Sequence, residues 1–409
     1  MITADVAVVG GGPAGAAAAI VLARAGRDVV LFDRARFPRD KCCGDGLTTG
    51  ALRGLEALGL RPGDVASWTV VEDVWVRSPS GRVATFPLPR GTGVYAAIAR
   101  RADLDAAVLD LARASGVKVH DGHSLTDASP SPDTIRLEVD GIGPVAARYA
   151  IGADGMWSRL RRALLGDRPA YLGEWHAFRQ YFAGVGPAAA SQLWVWFEPD
   201  LLPGYAWSFP LDGGRANVGF GIQRGDRRPT SWMNEAWPAL LERPHIRAVL
   251  GDGARPEAPH KAWPIPACVD RVALAAAGGR ALFVGDAARA ADPMTGEGIG
   301  QALDTGMAAA AAVVVAGPFD PARAAAVYRT AVRRGLATDN RLARFLSAHV
   351  VAHRKGARVA VRVAGLSGWT RGQFARWLFE DYPRALLATP ARWHRGMLSG
   401  PGAYCDAAG

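Results

Sequence analysis

Cysteine is scarce in this chain, and its spacing suits neither a disulfide framework nor a zinc site. Four cysteines occur among 409 residues, and two of them, Cys42 and Cys43, are adjacent. This pattern lacks the paired ligand spacing of a zinc centre. His349 and His353 are four residues apart, but no third ligand accompanies them, so a surface helix is the preferred interpretation. We therefore expect no bound metal.

Long hydrophobic runs are also missing. The most apolar uncharged stretch, 306–319, is shorter than the roughly 20 residues that a membrane-spanning helix needs. The N-terminus carries Asp5 and continues directly into a strand pattern, unlike a secretory signal. We expect a cytoplasmic protein, with attachment to the periphery of a membrane as an alternative.

Acidic residues are outnumbered by basic ones. Lys and Arg total 48 against 38 Asp and Glu, which gives a formal net charge of +10. Such a balance suits nucleic acid, an anionic membrane surface or acidic ligands, or it reflects an arginine-rich composition alone. The sequence has no zinc finger, aromatic RNA-binding signature or lysine run. We predict no nucleic-acid partner and keep peripheral membrane contact through the basic C-terminal region as the better alternative.

The first 33 residues have the pattern of a strand, a glycine-rich turn, a helix and a second strand. Val6–Val9 is a buried-strand run, 10–15 reads GGGPAG, and 29–32 is apolar and ends at Asp33. This is the complete context that a dinucleotide-binding GxGxxG turn requires, with an acid placed to accept ribose hydroxyls. The helix start supplies free N–H groups to phosphates. The turn alone does not distinguish FAD from NAD.

Two later segments repeat the same physical arrangement. A strand-like run ends at 152–158 (GADGMWS), and the strand 281–284 ends at 285–288 (GDAA), followed by 292–300 (DPMTGEGIG) and a long helix. In each, glycines let the backbone approach a ligand and an aspartate can orient polar groups. The turn at 296–300 presents N–H groups suited to the pyrimidine edge of a flavin. Taken singly, each segment is also compatible with an ordinary strand-to-helix turn.

Together, the three motifs resemble the flavoproteins related to p-hydroxybenzoate hydroxylase. Within that group, 37–47 (FPRDKCCGDGL) and 203–211 (PGYAWSFPL), followed by 216–221 (ANVGFG), are similar to the geranylgeranyl reductase family, and 376–384 (RWLFEDYPR) is similar to its bacterial members. The resemblance covers nearly the whole chain. It implies FAD as cofactor, with NAD(P)H or another reduced carrier as the reductant, and a hydrophobic small-molecule substrate.

The resemblance also implies which residues bind FAD. They are Gly10, Gly12, Pro13, Ala14, Gly15, Asp33, Arg34, Lys41, Cys43, Gly44, Arg101, Asp154, Gly285, Asp286, Pro293, Gly296, Gly298 and Ile299. Asp154 contacts FAD indirectly or supports the fold, and Lys41 is either a solvated loop charge or an anchor for a pyrophosphate head group. The chain departs from the family pattern at Cys42 and Thr49, where prolines are usual, and at Asp292 and Thr295, where asparagines are frequent.

The predicted fold class is α/β: a Rossmann-like FAD-binding domain of the p-hydroxybenzoate hydroxylase type, an inserted antiparallel β-sheet substrate domain and a C-terminal helical region. We assign 1–65, 92–165 and 272–330 to the discontinuous FAD-binding domain. Residues 66–91 and 166–271 form the predicted substrate domain, since 192–197, 205–210 and 217–222 have strand patterns. Residues 331–409 form the predicted helical region. The oligomeric state is not predicted.

The candidate catalytic residues are Cys43, Asp45, Tyr205 and Trp207. Cys43 is a redox partner, a substrate-positioning thiol or a small buried side chain. Asp45 either orients its loop or donates a proton. For the tryptophans of the insertion, sheet core is the simpler interpretation; Tyr205 and Trp207 are the better candidates for an aromatic cavity wall because the resemblance places their strand over the flavin.

The leading function is reduction of carbon–carbon double bonds in an isoprenoid substrate, with a flavin monooxygenase or epoxidase as the alternative. The motifs at 37–47 and 203–211 favour the reductase. A flavin halogenase requires a lysine beyond the first motif and a WxWxIP segment, but no lysine lies between Lys41 and Lys118 and the matching strand differs. A non-enzymatic lipid escort of related fold is disfavoured because the glycine motifs, Asp33 and Asp286 are intact.

Overall fold

A computed structural model describes residues 1–166, 171–224, 229 and 231–405. The remaining residues, parts of the predicted substrate domain and helical region, lie outside the described residues. Within the described part the strands are β1 (Ile2–Val9), β2 (Val29–Asp33), β3 (Gly46–Leu47), β4 (Thr69–Val70), β5 (Asp73–Arg77), β6 (Val83–Pro87), β7 (Ala97–Ile98), β8 (Lys118–Asp121), β9 (Leu125–Pro130), β10 (Ile135–Val139), β11 (Gly143–Gly152), β12 (Trp175–Ala183), β13 (Leu193–Trp196), β14 (Tyr205–Leu211), β15 (Arg215–Gln223), β16 (Arg255–Pro256), β17 (Lys261–Ile265), β18 (Ala275–Ala276) and β19 (Ala281–Phe283). The helices are α1 (Pro13–Arg24), α2 (Thr49–Ala57), α3 (Arg101–Ala114), α4 (Arg159–Leu165), α5 (Pro187–Ser191), α6 (Trp232–Leu241), α7 (Pro244–Leu250), α8 (Ile299–Ala316), α9 (Pro321–Arg334), α10 (Leu336–Leu346), α11 (Arg354–Ala364) and α12 (Gly368–Leu378).

The first sheet brings the glycine motifs to one edge. Its central strands run in the order β19, β11, β1, β2, β8 and are parallel, with β18 at one end and β9 and β10 attached through β11. Val9 is paired with Gly152 and with Phe32, and Gly152 is paired with Phe283. The continuous apolar runs reflect burial of both sheet faces, as parallel strands require. The three motifs therefore meet where these strands end.

Small residues allow α1 and α8 to pack closely beneath that edge. A Cβ atom added at Gly306 of α8 would lie 2.2 Å from the carbonyl oxygen of Ala14 in α1, so the two helix backbones are in contact there. By length and composition alone α8 could cross a membrane, but 56% of its residues are buried in the fold. Its apolar character is explained by packing against α1, α2 and α9.

The second sheet is formed mostly by the insertion. Its order is β16, β12, β15, β14, β13, β5, β6, with β17 also paired to β12. Helices α5 to α7, which the sequence analysis did not predict, cover one face around Trp196, Phe220 and Trp237. The prediction of an antiparallel sheet holds except between β13 and β5, which are parallel; a long crossover connects them, as parallel neighbours require.

The C-terminal region is helical through α12, and the chain that follows α12 then packs against the N-terminal part of the protein. Residues 347–351 form a π-helical turn between α10 and α11. After α12, the chain pairs with the loop before the small sheet β3–β7–β4, where Ala403 and Val94 exchange backbone hydrogen bonds. Helix α9 crosses the predicted boundary at 330/331, since Pro321 starts it and Gly335 ends it. The helices of the C-terminal region close one side of a large cavity.

Candidate active site

A cavity of about 900 Å³ lies between the carboxyl ends of the parallel strands, the second sheet and the C-terminal helices. Ligand sites in doubly wound sheets lie at this edge, and the volume falls within the usual range for ligand pockets. Most of the predicted cofactor residues line it. Those on its wall are Gly10, Gly12, Pro13, Ala14, Asp33, Arg34, Lys41, Cys43, Gly44, Arg101, Asp154, Gly285, Asp286, Gly296, Gly298 and Ile299.

The glycine turn before α1 is built for close contact. Gly10 has a φ of 108°, and a Cβ atom there would lie 2.2 Å from the Ala153 carbonyl oxygen. A Cβ atom on Gly15 would lie 1.9 Å from the Gly10 carbonyl oxygen, so Gly15 sits behind the wall and sets the turn. Helix α1 begins without a side-chain cap or an acidic residue in its first turn. Its first N–H groups and positive dipole end therefore face the cavity, where they suit an anion.

Asp33 holds the loop after β2. Its Oδ2 accepts a 2.7 Å hydrogen bond from the Gly11 N–H, and its Oδ1 accepts one of 2.8 Å from Ala35. An ionised carboxylate has further acceptor sites, so ribose hydroxyls can also bind there. Arg39, which the sequence analysis did not select, lines the same region and pairs with Asp105 at 3.1 Å. Its Nη1 atom is buried without a partner, which suits a phosphate oxygen.

The predicted residues Arg101 and Asp154 lie between the two ends of the cavity. Arg101 donates two hydrogen bonds to Asp105, of 2.8 and 2.7 Å, and shares this carboxylate with Arg39. Asp154 accepts the Leu160 N–H at the start of α4, and its Oδ1 is buried without a partner. Burial raises the pKa of Asp154. Asp154 thus supports the start of α4 from the wall of the cavity.

Lys41 is enclosed and faces Asp286. Its Nζ atom lies 4.0 Å from Asp286 Oδ2 and 3.9 Å from the centre of the Trp263 ring. Burial lowers the pKa of Lys41, while Asp286 opposes that shift. The side chain is therefore an inward-facing charge rather than the solvated one that the sequence also allowed. It is placed beside the polar groups that would orient the sugar-like part of a cofactor.

The turn before α8 forms the opposite end of the cofactor region. Asp292 Oδ1 accepts the N–H groups of Met294 and Thr295, each at 2.8 Å. Gly298 begins α8 with no side-chain cap, so the first N–H groups of the helix face the cavity. Pro293, a predicted cofactor residue, does not line the cavity, because its carbonyl oxygen accepts hydrogen bonds from Trp175 and Gln223 behind the turn.

Asp45 is the centre of a buried hydrogen-bond network. It is fully buried at a φ of 65°, and its Oδ2 accepts the Tyr181 hydroxyl at 2.7 Å and the Asn217 amide at 2.8 Å. Asn217 Oδ1 accepts the Trp207 indole N–H, and its amide also donates to the Cys43 carbonyl oxygen. Burial raises the pKa of Asp45 to about 6. Its hydrogen bonds make it an acceptor that fixes the loop and, through Asn217, Trp207.

Cys43 lines the cavity beside this network. Burial raises the pKa of its thiol to about 11, and Cys43 and Cys42 are both free. A thiol in this state is a poor nucleophile and metal ligand. Of the alternatives for Cys43, the small enclosed side chain and the substrate-positioning thiol agree with this environment better than a redox partner does.

Glu297 is a further acid on the cavity wall that the sequence analysis quoted only as part of a motif. Its Oε2 atom is buried without a hydrogen-bond partner. A Cβ atom on Gly46 would lie 3.9 Å from Glu297 Oε1, which places the carboxyl group against the loop of Cys43 and Asp45. Burial raises the pKa of Glu297 to about 8, and the nearby acids Glu380 and Asp292 add to the shift. The side chain is therefore protonated at neutral pH.

Aromatic side chains of β14 form the wall of the cavity that adjoins the turn at 292–299. Tyr205, Trp207 and Phe209 all line the cavity, with the Tyr205 and Trp207 rings 6.0 Å apart. The Tyr205 hydroxyl donates to the Thr295 carbonyl oxygen. Gly219 gives Trp207 its space, since a Cβ atom there would lie 2.3 Å from the Trp207 ring. Of the four predicted catalytic residues, Asp45 alone does not reach the cavity wall.

A family model described as an FAD binding domain matches residues 3–316. The match covers well over half of the chain. The chain belongs to this family of FAD-binding proteins. The resemblance inferred from the motifs is confirmed, and so is the prediction of an FAD-dependent oxidoreductase.

Curated relatives are similar over most of their length. The menaquinone reductase of Mycolicibacterium smegmatis is 33% identical, over 94% of this chain and 97% of its own. Digeranylgeranylglycerophospholipid reductase 1 of Methanopyrus kandleri is 32% identical, over 76% of this chain and 80% of its own. Both relatives are named as reductases, as the sequence analysis predicted for this family.

Solved structures share the fold. A geranylgeranyl bacteriochlorophyll reductase-like protein from Thermoplasma acidophilum superposes with a TM-score of 0.78 at 20% identity, covering 96% of this chain and all of its own. The halogenase PltM in complex with FAD gives 0.70 at 18% identity, covering 94% and 83%. At these identities the likeness concerns the fold alone, and it confirms the predicted fold class.

The cavity fits FAD on the evidence of its own residues. The uncapped N-termini of α1 and α8 and the orphaned Arg39 Nη1 suit the anionic and electron-rich parts of the cofactor. The glycine turn is packed against the protein's own backbone at Gly10 and Gly15, which fixes the turn that presents the first N–H groups of α1 to the cavity. Residues 10–15, Asp33 and Arg39 would hold the adenosine diphosphate part, and 285–286 and 296–299 the flavin part.

Replacing Gly15 by alanine should weaken FAD binding by about 10- to 100-fold. The new Cβ atom would lie 1.9 Å from the Gly10 carbonyl oxygen, so the turn must open, at a cost of about 1–3 kcal/mol. Titration of the flavin-free chain with FAD, followed by flavin fluorescence, measures the change. Gly63→Ala is the matched control because nothing lies within 4 Å of its added Cβ atom. Equal affinity in the two variants would contradict the role given to this turn.

Proposed function

We propose that the protein is an FAD-dependent reductase that saturates carbon–carbon double bonds in the isoprenoid part of a lipid. The observation that carries this proposal is the apolar extension of the cavity from the flavin end to the C-terminal helices. Its lining there includes Leu193, Val195, Phe197, Leu346, Val350, Val351, Val361, Phe374, Leu378 and Phe379. Such a channel suits a polyprenyl chain. The similar relatives are named as reductases of menaquinone and of digeranylgeranylglycerophospholipid, which supports the substrate class.

The reduction adds a hydride and a proton across the double bond. When bound, reduced FAD supplies the hydride, and the protein must orient the alkene, exclude water and supply the proton. Tyr205, Trp207 and Phe209 form an aromatic wall of tilted rings against which an alkene can lie. Asp45 acts through Asn217, which holds the Trp207 indole in place. We therefore give Asp45 a positioning role.

For the proton source we propose Glu297. A general acid must be protonated at the working pH and must have a pKa near that pH, so that it releases the proton readily. Glu297 has a pKa raised to about 8 by burial and faces the cavity beside the Cys43 loop. The Cys43 thiol, with a pKa raised to about 11, holds its proton more firmly, and the Asp45 carboxyl, with a pKa of about 6, is mostly ionised.

We also propose that a reduced nicotinamide or another reduced carrier returns electrons to the flavin after each turnover. The reaction consumes two electrons from the cofactor, so an external donor of that chemical class is needed. Mixing the yellow protein with NADH, NADPH or a reduced ferredoxin without oxygen identifies the donor, since the flavin absorbance is lost only with a competent one.

The reductase can be separated from the monooxygenase alternative by controlling oxygen. The photoreduced protein is mixed anaerobically with menaquinone or geranylgeranyl diphosphate. We expect flavin reoxidation without oxygen and a product heavier by one pair of hydrogen atoms for each bond reduced. If the flavin stays reduced until oxygen enters and the product then gains an oxygen atom, the monooxygenase is correct and the reductase is wrong.

Peripheral contact with a membrane belongs to the same proposal. Both named lipid substrates of the relatives reside in membranes, and this chain carries a formal charge of +10. A basic protein that takes a lipid from a bilayer gains from attraction to anionic head groups.

A further inference from the structure

Helix α11 exposes an apolar stripe to the outside of the protein. Val359 and Val363 are four residues apart, so they share one side of the helix, and Leu366 follows in the turn just after its end; the three side chains are 53%, 53% and 70% exposed. Trp369, at the start of α12, is 67% exposed. Exposed single apolar residues are ordinary, but a stripe of this kind next to a tryptophan is typical of an interfacial helix.

Basic side chains flank this stripe. Lys355, Arg358 and Arg362 are exposed and are spaced by three and four residues, and within the described part of the chain none of them has a carboxylate partner. The sequence from Arg341 to Phe379 contains eight Arg and Lys residues and no Asp or Glu. The surface of α11, here called the α11 face, is therefore both apolar and uniformly positive.

The inner side of the same helix lines the cavity. Ala357, Ala360 and Val361 face the apolar channel, together with Val350 and Val351 of the preceding turn. Helix α11 is thus a single layer between the channel and the exterior. A lipid in contact with the α11 face would be separated from the channel only by this helix and its neighbours.

We propose that the α11 face docks on a bilayer leaflet that contains anionic phospholipid, so that the lipid substrate enters the channel beside α11. The proposal rests on the proposed function for the identity of the lipid, but the docking itself does not depend on catalysis. Anionic lipid complements the unpaired basic residues, and the apolar stripe enters the head-group region. A second copy of this chain is a poorer occupant, because a symmetric contact would bring two positive faces together.

Sedimentation with vesicles tests the proposal on the full FAD-loaded chain. We expect binding to vesicles of phosphatidylglycerol and phosphatidylcholine and little binding to phosphatidylcholine alone. In the variant Arg358→Gln with Arg362→Gln, the partition coefficient should fall by about 25-fold, since each basic residue near an anionic surface contributes about fivefold. Arg329→Gln with Arg333→Gln is the matched control, because both residues are exposed on α9 and the change of charge is the same.

A second variant tests the apolar stripe. Binding that persists at high salt should be lost in Val363→Ser with Leu366→Ser, since screening removes the electrostatic attraction but leaves the apolar insertion. All four substituted residues, three in α11 and Leu366 just after it, are exposed, so the visible flavin spectrum and far-ultraviolet circular dichroism should stay unchanged. These measurements show that a loss of binding is not a loss of folding.

The outcomes separate docking from catalysis. Equal loss in the α11 and α9 variants, or no binding of the unsubstituted protein to anionic vesicles, would overturn the proposal. The proposal would also be overturned if the unsubstituted protein binds no vesicles and is a dimer that becomes a monomer in the Val363 and Leu366 variant. The α11 face would then be a contact between two copies of the chain. If the vesicles bind as expected but no alkene is reduced, only the proposed function fails. If alkenes are reduced in detergent but no vesicle is bound, only the docking proposal fails.

Discussion

Substituting glutamine for Glu297 should lower the rate of alkene reduction by about 10²- to 10⁴-fold, the usual contribution of a general acid. Glutamine keeps the size and polarity of the side chain but has no acidic proton to donate. Single-turnover mixing of the reduced protein with substrate, without oxygen, measures this step directly. FAD affinity and the rate of flavin reduction by the electron donor should stay within about twofold of the unsubstituted protein, since the proton is required only by the alkene.

The same step predicts a pH dependence with a definite sign. The proton is present below the raised pKa of Glu297, about 8, so the rate should be constant below that pH and fall as pH rises through it. Burial is the largest cause of the raised pKa of Glu297; the acids Glu380 and Asp292 raise it further, and the cations Arg384 and Arg101 lower it. The glutamine variant should show a low rate without the inflection. An infrared pH titration adds a readout independent of catalysis, because the protonated carboxyl band assigned to Glu297 should disappear in the variant.

Glu380→Gln is the matched control for this assignment. Glu380 accepts hydrogen bonds from Gln301 and Thr48 and does not line the cavity. Its removal takes away a negative charge that raises the Glu297 pKa, so the inflection should move to lower pH while the rate at low pH stays high. An unchanged rate in Glu297→Gln, or an inflection that survives in it, would contradict the proposed proton source.

Most of the predicted cofactor residues line one cavity, and they could be found from the sequence because their signals are local. The turn at Gly10, the acid at Asp33 and the segment at Asp286 each follow a strand within a few residues. The strand pairings of Val9 with Gly152, and of Gly152 with Phe283, then bring these motifs together. Parallel strands between helices have few alternative arrangements, so correct local patterns lead to the correct edge.

The roles of the residues beside the flavin were harder to predict from the sequence, because they depend on contacts with residues far away along the chain. The sequence leaves Asp45 as either a loop-orienting residue or a proton donor, and the hydrogen bonds that favour the first role come from Tyr181 and Asn217, more than 130 residues away. The sequence shows Glu297 only as part of a cofactor motif. In the structure, burial and Glu380 of the C-terminal region raise its pKa. Pro293 sits inside the same motif but turns its carbonyl group away from the cavity. No spacing of residues in the sequence predicts these contacts.

The ion pair between Asp292 and Arg384 connects the C-terminal region to the turn at 292–299. Arg384 Nε lies 3.1 Å from Asp292 Oδ2, both side chains are buried, and Arg384 also pairs with Glu380 at 3.3 Å. Replacing Arg384 by leucine leaves these carboxylates without their cation. We expect the free energy of unfolding to fall by about 3–5 kcal/mol, as for other broken buried pairs. Urea denaturation followed by tryptophan fluorescence, at saturating FAD, measures it.

A second substitution tests whether the loss comes from uncompensated charge. Asp292→Asn combined with Arg384→Leu should recover about 1–3 kcal/mol, because asparagine keeps the Oδ1 acceptor used by Met294 and Thr295 but carries no charge. Arg271→Leu is the surface control: its ion pair with Asp270 spans 3.8 Å at an exposed arginine, so its loss should cost less than about 1 kcal/mol. Equal losses for Arg384→Leu and Arg271→Leu, or no recovery in the double variant, would contradict this account.

The same two variants connect stability with the proton on Glu297. Arg384 lowers the pKa of Glu297 and Asp292 raises it, so the single variant Arg384→Leu should move the pH inflection of alkene reduction upward. In the double variant the two influences are removed together, and the inflection should return close to pH 8. If the shift of the pH inflection instead follows the loss of stability, the C-terminal segment acts on the site through packing and not through charge. The electrostatic environment described for Glu297 would then be wrong.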